Sequence, residues 1–367
     1  MSARLPPVPA DPCPGSSAIH VLFCTDAGYF QHLAVAAVSL ATQMPGRPLT
    51  LHVMTTAQDP VKTRMLRDSL QPFAHVTLIL HSVGDRQISR LFTDRHVTPE
   101  CYLRFLASEV LTPEILPGGR VLYLDCDLVV LRPIDALWRL DLQGKSTAAA
   151  PDFIWDRRGA GGAHLRSLGL AEDGLAEDSA YVNSGVLLMD LAAWRARDIS
   201  RRLLDFAAAR GSALRFHDQD ALNVVLQDDI RRIDCRWNLQ ARMYRLGRRA
   251  FPEEYAQTIA ARRDPAILHY TTARKPWAFR SRCPRKGLYH HYLARTEWRA
   301  ATPTLTGPWT RAEYLLDRAV ARMGGDYMVL ADLAERLARL PARACRGMSL
   351  IFGLRRRMHP ARQKDRP

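Results

Sequence analysis

The sequence predicts an α/β fold, a mainly parallel sheet with helices on both faces, followed by a basic helical extension. Two observations carry the sheet. Short apolar runs alternate with segments of helical spacing from residue 19 to residue 269, and the runs end in polar, mostly acidic residues. The extension rests on a third: residues 336–367 hold ten Lys and Arg against one acid, a local charge of +9.

In chain order, residues 1–18 are Pro-rich and polar and read as a disordered tail, with prolines at 6, 7, 9, 12 and 14 where a signal peptide needs an apolar run. Residues 19–24 read as a buried strand, stopped by Thr25-Asp26-Ala27-Gly28 ahead of a helix over 29–43. A strand at 49–54, a helix at 61–70, a strand at 75–80, a helix at 100–111 and a strand at 121–124 follow. Residues 148–150 and 266–268 are further strands, and Tyr181 to Gly185 form a polar loop feeding another. This describes one domain over 19–300. Ligands in open α/β sheets collect beyond the carboxyl ends of the strands, so Asp26, Asp125, Asp127, Asp152 and His269 mark where chemistry is to be sought.

Composition narrows the class. With 47% hydrophobic and 24% charged residues among 367, the chain can bury a core, which excludes fibrous and wholly disordered proteins. The best apolar stretches, 33–41 and 186–189, fall far short of the roughly 20 residues that span a bilayer. The net charge of +15 favours anionic partners. Seven scattered cysteines without a C-x-x-C pair argue against a disulfide framework or a zinc knuckle, and the expected address is the cytoplasm.

Asp125-Cys126-Asp127 is the first chemical motif. Two carboxylates just past a strand end reach one hard divalent cation if the backbone turns there; oxygen ligands suit Mg²⁺ or Mn²⁺, and an added imidazole favours Mn²⁺. Two acids capping a turn are the plainer alternative. His269, six residues before Lys275, offers a third ligand and a phosphate-binding cation from one loop, or else a satisfied core histidine. Asp218-Gln219-Asp220, read alone, is a helix start with acids set against the dipole. Cys126 lies between carboxylates that disfavour its thiolate, so it is no nucleophile.

Together these segments resemble glycosyltransferase family 8, in particular the bacterial lipopolysaccharide galactosyl- and glucosyltransferases. The blocks are Phe-Cys-Thr-Asp-Ala-Gly-Tyr29, Tyr102-Leu-Arg104, Val-Leu-Tyr-Leu-Asp-Cys-Asp127, Tyr-Val-Asn-Ser-Gly-Val-Leu-Leu-Met-Asp190 with Trp194-Arg195, His-Asp-Gln-Asp-Ala-Leu-Asn223 and His-Tyr-x4-Lys-Pro-Trp277, in the family's order over about 19–277. The resemblance implies an A-type glycosyltransferase fold, a UDP-galactose or UDP-glucose donor, Mn²⁺ or Mg²⁺, and transfer with retention. Asp125, Asp127 and His269 then look like metal ligands, Lys275 like the diphosphate-binding cation, and Asp26 with Tyr29 like the uracil-binding pair. Arg104, Asp152, Asn183, Ser184, Asp218 and Gln219 resemble the sugar-nucleotide pocket, with Cys24, Cys126 and Thr272 also at the donor site. Gln219 is expected against the anomeric carbon, with Asp220 as a competing nucleophile. The sequence departs from the family at Gly28, at Ser184 and at Thr272, where a glycine is usual.

Beyond residue 301 the resemblance thins. Tyr327, Leu330, Leu333, Leu337 and Leu340 recur at helical spacing, so an amphipathic helix over 326–340 beside Arg355, Arg356 and Arg357 suits the anionic inner face of a membrane, where a lipid-linked saccharide acceptor is met. A helix packed on the catalytic domain is the alternative. No nucleic-acid partner is expected, because no reading module accompanies the charge. A self-glucosylating primer protein and a metal-dependent nucleotidyl- or phosphotransferase remain as other functions for the same motifs.

Overall fold

The computed structural model describes residues 18–301 apart from 58, 85, 87, 94–97, 153–159, 170–180, 246–251, 272–274, 279–280 and 282. The predicted tail, the predicted 326–340 helix and Thr272 lie outside the described residues. The strands among the described residues are β1 (Ile19–Thr25), β2 (Leu49–Thr55), β3 (Val76–Ser82), β4 (Arg120–Leu124), β5 (Leu128–Val130), β6 (Thr147–Pro151), β7 (Val182–Asp190), β8 (Ile230–Arg232), β9 (Leu239–Gln240) and β10 (Ile267–His269). The helices are α1 (Phe30–Gln43), α2 (Pro60–Leu70), α3 (Ala107–Val110), α4 (Asp135–Trp138), α5 (Ala160–Ser167), α6 (Leu191–Ala196), α7 (Ile199–Arg210), α8 (His217–Val225), α9 (Pro252–Arg263) and α10 (Lys286–Leu293).

Seven strands form the main sheet in the order β3-β2-β1-β4-β7-β6-β8, and β5-β10-β9 form a small second sheet. The main sheet is parallel except at β7, which runs antiparallel to both β4 and β6. Alternation builds a core on each face. Val21, Phe23, Leu122, Leu124, Val186 and Leu188 meet α1 and the small sheet, while Leu22, Val121, Tyr123, Leu187 and Met189 meet Tyr102, Phe105, Trp194 and Leu203 on the other face. The predicted α/β class and strand positions are thus observed. Among the described residues no helix is long and apolar enough to cross a membrane.

Two local expectations need correction. The helix expected over 100–111 is a 3-10 helix, Pro99–Leu106, running into the four-residue α3. The polar loop expected at Tyr181 to Gly185 is mostly strand, because β7 begins at Val182. Its register against β6 shifts from Ala149↔Leu187 to Pro151↔Val182, five residues of β7 against two of β6. Such a bulge re-aims side chains without breaking the sheet.

Candidate active site

The chain leaves the main sheet at Leu124 and enters the small sheet at Leu128. Asp125-Cys126-Asp127 is that crossover, so the backbone turns and both carboxylates face one point. Across the small sheet Leu128 pairs with His269, which brings the imidazole to the same point. Ligand atoms of Asp125, Asp127 and His269 all lie within 4.8 Å of one another. His269 Nε2 is 3.0 Å from Asp127 Oδ1 and 3.4 Å from Asp125 Oδ2.

Space for a ligand here depends on Gly185. A Cβ at this position would sit 2.2 Å from His269 Cε1 and 2.5 Å from Asp125 Oδ2. Gly185 O also accepts a hydrogen bond from the Asp125 N–H at 2.8 Å, so the bare backbone of β7 forms the floor of the cluster. Two carboxylates, one imidazole and a side-chain-free floor fit a divalent cation. Lys275 closes the cluster, donating to Asp127 Oδ2 and, at 2.8 Å, to Tyr270 O. Burial would raise the Asp127 carboxyl, but Lys275 and His269 outweigh it and hold it far below its usual range. The Lys275 ammonium is opposed by burial and raised overall by Asp127.

Arg104 anchors the opposite wall. Its Nε donates to Cys101 O (2.9 Å), its Nη1 to Ser184 O (2.7 Å) and its Nη2 to Asp125 Oδ1 (3.0 Å), and Nη1 lies 3.3 Å from Asp218 Oδ2. The guanidinium lies over the Tyr123 ring, whose hydroxyl donates to Asp125 Oδ1 at 2.6 Å. Burial, only partly offset by Arg104, raises the Asp218 carboxyl. Asp218 is therefore held by a cation across the cavity, beyond what the helix-start reading gave it.

Next to this lies a cluster of polar side chains. Gln219 Nε2 and Asn183 Nδ2 both donate to Asp152 Oδ2 at 3.0 Å. Gln219 Oε1 accepts from Asn183 Nδ2 (2.9 Å) and from the Ser184 N–H (3.1 Å). Beyond the end of β1, three places along the sheet from β6, Asp26 Oδ1 accepts from the Gly28 and Tyr29 N–H groups at 2.6 and 2.9 Å, and the Tyr29 ring meets Trp277 edge-on. The Asp26 turn thereby fixes the approach of α1.

One cavity of ≈ 620 Å³ is lined by Cys24, Asp26, Tyr29, Arg104, Asp125, Cys126, Asp127, Asp152, Asn183, Ser184, Asp218, Gln219, His269 and Lys275. Those sequence-predicted residues are brought together. Asp220 is not among the residues lining it. Its carboxylate accepts from Tyr181 Oη (2.5 Å), His164 Nε2 (3.0 Å) and the Phe216 N–H (2.9 Å), so this acid completes a buried packing cluster. Burial would raise it, and these hydrogen bonds overcome that to lower it. Cys126 is buried, its thiol pushed up by burial and by Asp125 and Asp127, as its place in the sequence implied.

Tyr123, Asn238, Gly185, Gln240 and Arg242 were missed as site residues. Tyr123 precedes Asp125 by two, so strand alternation placed it on the same face. Nothing local marked the others.

Comparison with known proteins supplies the family. The profile described as glycosyl transferase family 8 matches residues 20–281. General stress protein A of Bacillus subtilis is 29% identical over 76% of this chain and 94% of its own length. A lipopolysaccharide 1,3-galactosyltransferase of Salmonella typhimurium is 26% identical over 67% of this chain and 68% of its own. The solved galactosyltransferase LgtC, bound to donor and acceptor sugar analogues, superposes with a TM-score of 0.66 at 21% identity, covering 80% of this chain and 100% of that one, which establishes the shared A-type fold. With the profile spanning the sheet, the acidic crossover and the histidine of the small sheet, the chain belongs to glycosyltransferase family 8.

Proposed function

We propose that this glycosyltransferase moves a hexose from UDP-galactose or UDP-glucose, with retention at the anomeric carbon, to a saccharide acceptor of the lipopolysaccharide core type. The observation that carries the reading is the Asp125–Asp127–His269 cluster with Lys275 at one end of a cavity whose other wall is Asp152, Asn183 and Gln219. Mn²⁺, with Mg²⁺ as the alternative, is the cation that two oxygens and one nitrogen suit. When bound it supplies positive charge against the departing diphosphate.

The protein's own groups do the rest. Lys275 is placed to exchange its carboxylate partner for phosphate oxygens. Arg104 holds Asp125 and Asp218 in fixed orientation, and Asp218 and Asp152 accept from hydroxyls of the donor sugar. Asp26 and Tyr29 hold the uracil, at the cavity end remote from Asp152. Gln219 Oε1 already accepts two hydrogen bonds, and an amide so engaged is a poor nucleophile. Transfer therefore occurs on one face of the sugar. The bond from C1 to the UDP oxygen breaks, the acceptor oxygen bonds to C1, and the acceptor's proton passes to the departing phosphate oxygen. A lipid-linked acceptor at the cytoplasmic face of the membrane, approached through the basic segment 336–367, completes the proposal.

UDP release from UDP-galactose and from UDP-glucose, each with Mn²⁺ or with EDTA, tests it on the wild type and on Asp127→Ala. Mn²⁺-dependent UDP release that the substitution abolishes, with far-UV circular dichroism unchanged, is expected. Release of pyrophosphate or inorganic phosphate in its place would convert the reading to a nucleotidyl- or phosphotransferase.

A further inference from the structure

His269 touches the candidate metal point through Nε2 only; its other ring nitrogen, Nδ1, is 2.9 Å from Asn238 Oδ1. Asn238 is fully buried, and its Nδ2 is 2.8 Å from Asn183 Oδ1. Asn183 in turn reaches Asp152 and Gln219, so an unbroken run of side-chain amides joins the sugar wall to the histidine.

The polarity of this run is not free. An amide can be turned end for end only if its neighbours turn too. Asn183 Oδ1 accepts the Gly185 N–H at 3.0 Å, a backbone donor that cannot be reversed. Its Nδ2 faces the Asp152 carboxylate, an acceptor-only group. Both anchors demand the same orientation of Asn183. With Asn183 Oδ1 facing it, Asn238 must present Nδ2 there, which leaves Oδ1 toward His269. An oxygen acceptor against Nδ1 requires a proton on Nδ1, and Nε2, which faces the carboxylates of Asp127 at 3.0 Å and Asp125 at 3.4 Å, is the nitrogen left to coordinate a cation that takes the place of those contacts.

We infer that Asn238 is a positioning residue that fixes the proton of His269 on Nδ1, and that Asp152 and Gly185 set this polarity through Asn183. The inference rests on the metal reading above for its purpose, though not for its geometry. Partners of this kind to a ligating histidine fix ring orientation, and their loss typically weakens metal binding by 10- to 100-fold. Because the same amides hold Asp152 and Gln219, the sugar wall and the metal ligand are held in one register.

The test is ¹⁵N NMR of the histidine rings in the protein saturated with Mg²⁺, a diamagnetic cation that would take Nε2 from the carboxylates, at mildly alkaline pH, with His269 assigned from its loss in His269→Gln. The wild type is expected to carry a proton on Nδ1 of His269. In Asn238→Leu, which removes the acceptor, the proton moves to Nε2 and Mn²⁺ affinity by calorimetry falls about 10- to 100-fold. Asn238→Asp restores the acceptor and recovers the Nδ1 proton, which a merely packing role would not, although its second oxygen now opposes Asn183 Oδ1 and lowers stability. A wild-type ring protonated on Nε2 alone overturns the inference without recourse to any variant, as does an Asn238→Leu protein whose ring pattern and affinity match the wild type. A wild type that shows the Nδ1 proton yet binds no Mn²⁺ sinks the metal reading and leaves the positioning assignment standing.

Discussion

Gly185 and His269 approach so closely that a single methyl group on the glycine would lie 2.2 Å from the imidazole Cε1. The residues are distant in sequence, and the contact exists because β7 and the small sheet converge on the acidic crossover. Gly185 has no left-handed backbone to maintain, so its requirement is for space alone. Gly185→Ala is therefore expected to fold, at a cost of about 1–3 kcal/mol from overpacking, while displacing His269 or Asp125. Mn²⁺ calorimetry beside urea unfolding checks this: affinity should drop at least about tenfold, as for lost ligand orientation. Affinity equal to the wild type would mean that the cluster does not hold the cation.

Arg104 makes four directed contacts from a buried position. Arg104→Met leaves Asp125 and Asp218 without their shared cation, and breaking a buried pair on one side costs about 3–5 kcal/mol. Arg104→Lys should recover little of this, because an ammonium cannot reproduce the planar fork that spans Ser184 O and Asp125. Chemical denaturation of both variants, with the lysine variant nearer to the methionine variant than to the wild type, is the expected result.

Asp220→Asn separates packing from chemistry. The carboxylate serves Tyr181, His164 and the first turn of α8, so its loss should lower stability by about 1–3 kcal/mol, the cost of disturbing buried hydrogen bonds. UDP release measured well below the melting transition should persist. Abolished turnover in a folded variant, or a glycosyl adduct on Asp220 by mass spectrometry, would restore it as a nucleophile.

His20, His52 and His81 form a hydrogen-bonded file across β1, β2 and β3, with ring nitrogens 3.0 Å apart at both junctions. Burial, together with its two neighbours, pushes the His52 imidazole down to about 3. The unfolded chain protonates this ring near pH ~6.5 while the folded chain does not. Its contribution to stability is therefore present above about pH 6.5 and is lost as pH falls from there toward about 3, at roughly 1.4 kcal/mol per pH unit. Urea midpoints should decline between pH ~7 and pH ~5, and His52→Gln should flatten that decline.

The parts of the site that sequence made legible are those fixed by strand ends. Asp26, Asp125, Asp127, Asp152 and His269 each follow an apolar run, and the sheet gathers such positions by construction. Asn183 and Ser184 were read as loop because polar residues beside glycine resemble a turn; a bulge lets β7 carry them into the cavity within the ladder. The 3-10 form of 99–106 depends on packing that brings Arg104 to Asp125, which helical spacing does not encode. Asn238 was invisible because its two partners lie 31 and 55 positions away. The direction of Asp220 was not legible either, since acids two positions apart in one helical turn point in different directions.

The inverted strand also governs how the site moves. Asp125 donates its backbone N–H to Gly185 within β7, and Asp152 donates its own to Tyr181, the residue just ahead of β7, so main-chain bonds tie both acids to this strand and its approach. Local breathing cannot separate them while the central ladder stands. Solvent exchange of these two amide protons should therefore follow the slowest, whole-domain opening, in contrast to the fast exchange common at substrate-gating loops. The cavity wall formed by Asp125 and Asp152 is thus tied to the central ladder, and its motions are expected to be those of the sheet itself.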